Sequence, residues 1–409
     1  MTREIWSSRT GFILAAVGSA VGLGNIWRFS YVAYENGGGA FLIPYFVALF
    51  SAGIPLLILE FSLGNKFRGT APIALKRART GFEWIGWWAA LSGLLIAMYY
   101  PVIISWSLVY LGKSFTLDWG ADTNAYFFGT VLQLTGSPWD LGGFQVQILI
   151  SLFAVWGMAW FIVSKGVISG IEKANRIFMP LLWALAVVLV ARALTLDGAL
   201  SGINWYLQPD FERLLDHNVW LAAYGQIFFT LCLGSATMIA YSSYLPEGTD
   251  IVNNAFIVSF ANCAFSFLMG FAVFGTLGYM AATTGQDVGD VVASGIGLAF
   301  VVFPKALSLL PGLKVPTAVV FFTCLVVAGI SSLISMVEAF AAALMDKFGL
   351  GRARAVNVTI GLGLRGALWR PRLLREDRPE ERARPRSRRA YAKWVKNGMS
   401  NRFFAELCG

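Results

Sequence analysis

Two stretches of this chain put small residues, amides and hydroxyls inside otherwise apolar sequence. The first reads GSAVGLGNIWR from Gly18 to Arg28, and the second reads GQIFFTLCLGS from Gly225 to Ser235. Gly22, Gly24 and Asn25 weaken a helix, and an unpaired backbone group in an apolar medium costs several kcal/mol. A break is tolerated there if the freed groups line a polar cavity. Freed carbonyls bind cations, and helix N-termini bind carboxylates. A third feature is Ala328, Ser331 and Ser332, which at i, i+3 and i+4 share one helix face. One carbonyl and two hydroxyls facing carbonyls of the first stretch would form an all-oxygen shell suited to Na⁺. Blander readings stand beside these: glycines that permit close helix packing, and serines that bond back to their own helix. Matching interruptions in two halves of a chain favour a solute site.

The elements that must hold these residues are membrane helices. Of 409 residues, 57% are hydrophobic and 13% charged, with a mean hydropathy of +0.63, which excludes an ordinary soluble protein. Runs long enough to cross a bilayer fall near 11–34, 40–63, 86–111, 145–163, 176–196, 219–244, 252–282 and 316–345. The breaks lie in the first and sixth of these. Backbone groups in lipid have no water to pair with, so each run must be helical. Arg3 and Arg9, then Lys66, Arg68, Lys76, Arg77 and Arg79, then Lys165, Lys173 and Arg176 mark alternate connections as cytoplasmic, with the N-terminus inside. Residues 285–314, rich in Gly and Pro, read as an extracellular helical hairpin. A single His217 and the absence of any CxxC pair exclude a multi-histidine metal centre, a zinc motif and a disulfide framework. No nucleophile–base cluster suggests an enzyme. Glu60 and Glu338 are acids inside apolar runs, and neither is expected at the interruptions.

The net charge of +9 divides sharply along the chain. Residues 1–350 carry 17 Lys/Arg against 18 Asp/Glu, whereas 351–409 carry 15 against 5. A transmembrane core over 1–350 is therefore expected, with a short remnant of a ninth helix at 351–369. The tail at 370–409 is basic and expected to be disordered. No basic stripe crosses the core, so nucleic acid is not an expected partner.

WSSRTGFILAAVGSAVGLGNIWRFSYVAYENGGGAFLIPYF, GQIFFTLCLGSATMIAYSSY and VAGISSLISMVEAF together resemble the signature of the neurotransmitter:sodium symporter family, in register through eight helices to about residue 363. The resemblance implies an all-α polytopic membrane protein with an inverted repeat of five plus five helices. Interrupted helices one and six would lie at its centre, and here the second repeat would be incomplete. It implies Na⁺-coupled uptake of amino acids or amines by alternating access in the plasma membrane. One sodium site would use carbonyls of Gly18, Val21 and Ala328 and hydroxyls of Ser331 and Ser332. The other would use Ala20, Asn25, Thr230, Asn262 and the substrate carboxylate. Substrate would lie against Ala20, Leu23, Gly24, Ile96, Tyr100, Phe229, Cys232, Ser235 and Met336, with Tyr100 and Phe229 closing over it.

Gly22 stands where the family's monoamine carriers have an Asp, which implies an amino-acid substrate. Ser235 stands where many members have Phe, which implies a larger side-chain pocket. Tyr45, Gln226, Thr230, Asn262 and Ser266 resemble the chloride site of chloride-dependent members; a neutral helix contact is the other reading. Arg3, Trp6, Tyr244 and Asp346 resemble the inner gate, and Arg28 the outer-gate arginine, whose acidic partner would lie in a tenth helix. Past residue 363 the pattern fades, as after a truncation or a frame change. Two functions therefore stay open: a Na⁺-coupled amino-acid symporter, and a transport-inactive membrane protein that binds substrate or joins a full-length copy. The sequence does not fix the oligomeric state.

Overall fold

The computed structural model describes residues 4–135, 143–286, 288 and 295–368. Among these no strand occurs beyond one isolated bridge, Gly38 with Pro209. Among the described residues six helices are long and apolar enough to cross a membrane: α3 (Gly39–Phe67), α5 (Thr80–Lys113), which the short α4 (Ala71–Ala78) precedes, α6 (Val146–Ser164), α7 (Val167–Leu194), α11 (Ile251–Thr284) and α13 (Lys314–Phe348). Helices α1 (Arg9–Ala20) and α2 (Gly24–Glu35) form one broken span, bent by 59°. Another interrupted segment consists of α9 (His217–Thr230) and α10 (Thr237–Ser242), with residues 231–236 between them. These are the eight runs expected from sequence, with both interruptions in the expected segments.

Local chemistry sets the ends of these elements. Ser8 caps α1 by accepting from the Gly11 N–H at 3.0 Å, and Asp250 caps α11 by accepting from Asn253 N at 3.0 Å. Gly285 and Gly349 end α11 and α13 with φ of +67° and +65°, the left-handed stop that costs glycine little. Helix α13 is the axis of the bundle, with 78% of its most apolar window buried inside the protein, against 28% for α6 at the lipid-facing edge. Helix α13 packs on α5, α7, α6 and α1. Both partners of the proposed oxygen shell, α1 and α13, therefore lie in the protein interior.

One packed element was not read from sequence. Helix α8 (Ala199–Leu207) lies on α11, where a Cβ at Gly202 would collide with the Phe274 carbonyl. Helix α14 (Arg352–Ala367) packs on α13, α5 and α6 where the remnant was expected. Between 285 and 314 the described residues form one helical arm, α12 (Leu298–Leu309). Asp287 and Gly289, which belong to the expected hairpin, lie outside the described residues, as do Trp369 and the 370–409 tail. The α12 arm is anchored to the end of α5: the Tyr110 hydroxyl donates to the Phe300 carbonyl at 3.0 Å, and Phe127 stacks on Phe300 at 5.2 Å.

Candidate functional site

The break between α1 and α2 redirects hydrogen bonds one by one. In a continuous helix, Gly22 N–H would pair with Gly18 O and Asn25 N–H with Val21 O. Instead Gly22 N donates to Asn25 Oδ1 at 2.8 Å, and Asn25 N donates to Gly22 O at 3.2 Å. Leu23 N, the natural donor for Ser19 O, donates to the Tyr100 hydroxyl at 3.2 Å. Ser19 O takes the Cys232 thiol at 3.6 Å in its place. The carbonyls of Gly18 and Val21 thus lose their helical donors in a fully buried setting, a loss tolerated only where a polar partner is supplied.

Part of that supply comes from α13. Ser332 Oγ lies 3.4 Å from Val21 O and 3.3 Å from Ala328 O, and Ser331 Oγ donates to Ala328 O at 2.9 Å. Ser331 and Ala328 are 0% exposed and Ser332 6%. The serines do bond back along their own helix, as one sequence reading held, but Ser332 also reaches across to α1. A Cβ at Gly22 would stand 2.7 Å from Ser332 Oγ and 3.0 Å from the Tyr100 hydroxyl, so glycine lets both side chains come this close without a shift. Next to it, Ser19 Oγ donates to Ser335 Oγ at 2.8 Å, a second α1–α13 link.

A second oxygen cluster surrounds Asn25. Its Nδ2 has Thr230 Oγ1 at 3.0 Å, Asn262 Oδ1 at 2.8 Å, Ser266 Oγ at 2.8 Å and Asn262 O at 3.5 Å. An amide carries two hydrogens, fewer than the oxygens that converge on it. Ala20, at the end of α1, is 4% exposed. The residues of the suggested anion site lie around the same cluster. The Tyr45 hydroxyl donates to Cys263 Sγ at 3.3 Å, Gln226 Oε1 accepts from Arg28, and Gln226 Nε2 is buried with no partner.

The interruption in the sixth segment is built differently. Cys232, Gly234 and Ala236 have φ of +55°, +77° and +64°, and two of them are not glycine. Such conformations cost a non-glycine residue about 1–2 kcal/mol each. The Gly234 N–H freed by this path donates to Glu60 Oε1 at 2.7 Å. Glu60 therefore does lie at an interrupted helix, contrary to the sequence expectation; chain order could not show that α3 runs beside 231–236. The Ser235 hydroxyl donates to Cys232 O at 2.7 Å, and a Cβ at Gly93 of α5 would lie 3.0 Å from Ser235 O. About two turns on from Gly93 and one from Ile96, α5 brings Tyr100 to the α1 break. The Phe229 ring lies against Gly24, where a Cβ would overlap it. Met336, one turn beyond Ser332, is 8% exposed.

The residues expected to form the gates fall into separate groups. Arg28 lies 4.5 Å over the Phe229 ring. Trp6 N donates to Tyr244 O at 3.0 Å, and its indole N–H to Tyr241 O at 2.8 Å. Tyr244 donates to Glu338 at 2.6 Å, while Asp346 Oδ2 accepts from Thr70 N and Thr70 Oγ1, both at 2.8 Å. Arg3 lies outside the described residues. Glu338 is paired with Arg352 Nη1 at 2.8 Å, a bond across to α14 that no sequence signal announced.

Comparison with known proteins identifies the family. The family model described as "Sodium:neurotransmitter symporter family" matches residues 3–127 and 121–365. An uncharacterized sodium-dependent transporter of Methanocaldococcus jannaschii is 55% identical over 88% of this chain and 74% of its own length. The creatine transporter of Torpedo marmorata is 35% identical over 88% of this chain, and the sodium-dependent serotonin transporter of Drosophila melanogaster 34% over 88%. This chain spans 64% and 62% of those two relatives' lengths, less than two thirds. The crystal structure of MhsT in complex with L-phenylalanine superposes with a TM-score of 0.77 at 35% identity, covering 90% of this chain and 80% of that one. With the interrupted helices, the buried oxygen clusters and these matches all in agreement, the chain belongs to the sodium:neurotransmitter symporter family.

Proposed function

We propose that this chain couples Na⁺ to the movement of an amino acid across the plasma membrane by alternating access, with its N-terminus in the cytoplasm. The observation that carries the reading is the pair of freed, buried carbonyls of Gly18 and Val21 set against Ala328, Ser331 and Ser332. Neutral oxygens in that number suit a monovalent cation and supply no competing charge. The cluster of Asn25, Thr230 and Asn262 oxygens supports a second cation beside the substrate carboxylate. An amino-acid substrate is supported by the absence of any acid at Gly22, by the capacity of a helix N-terminus to hold a carboxylate, and by the ligand in the MhsT complex. Ser235, with no bulky side chain, favours a larger or aromatic substrate.

The test is uptake of labelled amino acids by purified protein in proteoliposomes. Accumulation under an inward Na⁺ gradient, absent with choline, is expected. Na⁺-dependent binding without accumulation would select the transport-inactive reading instead. A chloride requirement is a second reading, favoured by one observation: the Gln226 Nε2 donor is buried with no partner. An anion beside a cation site would give that N–H an acceptor. Replacing chloride with gluconate is then expected to lower uptake severalfold, and unchanged uptake rejects the anion.

A further inference from the structure

Helix α7 packs against both helices that carry the proposed five-oxygen shell, α1 and α13. On its α1-facing side, Asn175 is 0% exposed. Its Nδ2 donates to Ile171 O at 2.9 Å, one turn back on its own helix. Its Oδ1 accepts nothing: it is buried with no hydrogen-bond partner. That oxygen presses on Gly18, so closely that a Cβ there would overlap it. The Met179 methyl is the other group at that point, 3.1 Å from the same Cβ position. An unsatisfied carbonyl oxygen thus sits beside the residue whose own carbonyl has been released from the helix.

Packing alone does not account for this. A buried acceptor left unpaired costs about 1–3 kcal/mol, and a leucine would fill the same volume without that cost. Asparagine is also held in one orientation, because one of its amide hydrogens bonds Ile171 O. That bond points the oxygen toward α1. The glycine at 18 lets that oxygen come directly against the α1 backbone next to the break. An acceptor held in this way matches a partner that carries positive charge and no lone pair of its own. Glu172, one turn nearer the N-terminal end of α7, is set against Gly11 of α1 in the same manner. The facing surface of α7 is therefore lined by oxygen opposite two glycines.

We propose that Asn175 Oδ1 supplies a further oxygen, from α7, to the cation held by Gly18, Val21, Ala328, Ser331 and Ser332. The inference rests on the reading of that shell as a cation site. It makes α7 a third helix that senses the ion, so that occupancy ties α1, α13 and α7 together.

The test is Na⁺-dependent thermal stabilisation and ²²Na⁺ binding by the purified chain in detergent, without substrate. Asn175→Leu removes the oxygen at similar volume. It is expected to raise the half-saturating Na⁺ concentration about tenfold and shrink the Na⁺-induced rise in Tm, while Tm in choline stays equal or increases. Asn175→Asp keeps an oxygen at the position and is expected to retain the Na⁺ response. Ser332→Ala, run in parallel, tests the shell itself. If Ser332→Ala weakens Na⁺ binding and Asn175→Leu leaves it within twofold of the parent, the role of Asn175 is overturned and the shell stands. If both leave it unchanged, the shell and this inference fall together. Loss of the Na⁺ response in both Asn175 variants, with Tm in choline lowered, would show a structural role and also overturn it.

Discussion

At Gly24 the missing side chain lets the Phe229 ring lie against the first break, with Arg28 stacked 4.5 Å above that ring. Gly24→Ala would put a methyl group inside the ring's position, so Phe229 and Arg28 must shift together. Uptake is expected to fall at least tenfold, while Na⁺ binding at the α1–α13 shell changes little; equal loss of both would point to general misfolding. Glu60 answers a different local need, because Gly234 N–H has no helical acceptor and takes its carboxylate. Glu60→Ala takes away the acceptor of that part-buried N–H, a loss of about 1 kcal/mol. Thermal unfolding in detergent should show it, with Glu60→Gln, which keeps a carbonyl oxygen, closer to the parent. The two residues differ in how far sequence could reach them. Gly24 stood out because glycine in mid-span has a stated cost. Glu60 stood out as an acid in hydrocarbon, but its partner is 174 positions away and on another helix. The same limit hid Asn175, whose neighbours Gly18 and Met179 give no sequence signal for the contact.

Both interruptions were legible as elements because each concentrates glycine or polar residues where helix propensity should be highest. Their internal geometry was not. Gly234 fits a left-handed turn, but Cys232 and Ala236 adopt the same φ without glycine's freedom. Residues that accept such strain are held by their surroundings: the Cys232 thiol by Ser19 O, and Ser235 by Cys232 O. Ala236 starts α10 with φ +64° and ψ −8° and is 2% exposed. A β-branched side chain is disfavoured there both by φ and by crowding. Ala236→Val is expected to cost about 2 kcal/mol or more, and Ala236→Gly to stay within about 1 kcal/mol of the parent because relief of strain offsets added chain entropy. Tm of the two variants, measured side by side, separates backbone strain from loss of the methyl group. Helix α8 escaped notice for the opposite reason. It is a nine-residue amphipathic element whose docking depends on Gly202 meeting α11, and neither length nor periodicity distinguishes it from a loop.

Across the whole molecule, one guanidinium joins parts that are far apart in sequence. Arg352, at the start of α14, bonds Glu338 of α13 through Nη1 at 2.8 Å and Nη2 at 3.2 Å. Its Nε lies 3.2 Å from Glu4 Oε1 in the segment before α1, and Nη1 is 3.3 Å from Val163 O at the end of α6. Glu4 in turn accepts from Val167 N at 2.6 Å, at the start of α7. Composition placed a boundary near residue 350, and the charge excess does begin there. Yet Arg352, the first charge past that boundary, is 14% exposed at its side chain and belongs to the core's own ion-pair network. Glu338 is 0% exposed, so removing its cation strands a charge in the interior. Arg352→Met is therefore expected to destabilise the protein by about 3–5 kcal/mol. Adding Glu338→Gln to that variant should recover more than half of the loss, since a neutral amide no longer needs the cation. If the double variant is as unstable as Arg352→Met alone, the stabilising contribution comes from Glu4 and the Val163 carbonyl instead. Limited proteolysis of the N-terminal segment would then rise in Arg352→Met and stay high in the double variant. Under the ion-pair account it should also stay high, because Glu4 loses its partner in both. Stability, then, is the measurement that separates the two accounts, and proteolysis reports whether Arg352 holds the N-terminal segment to the bundle.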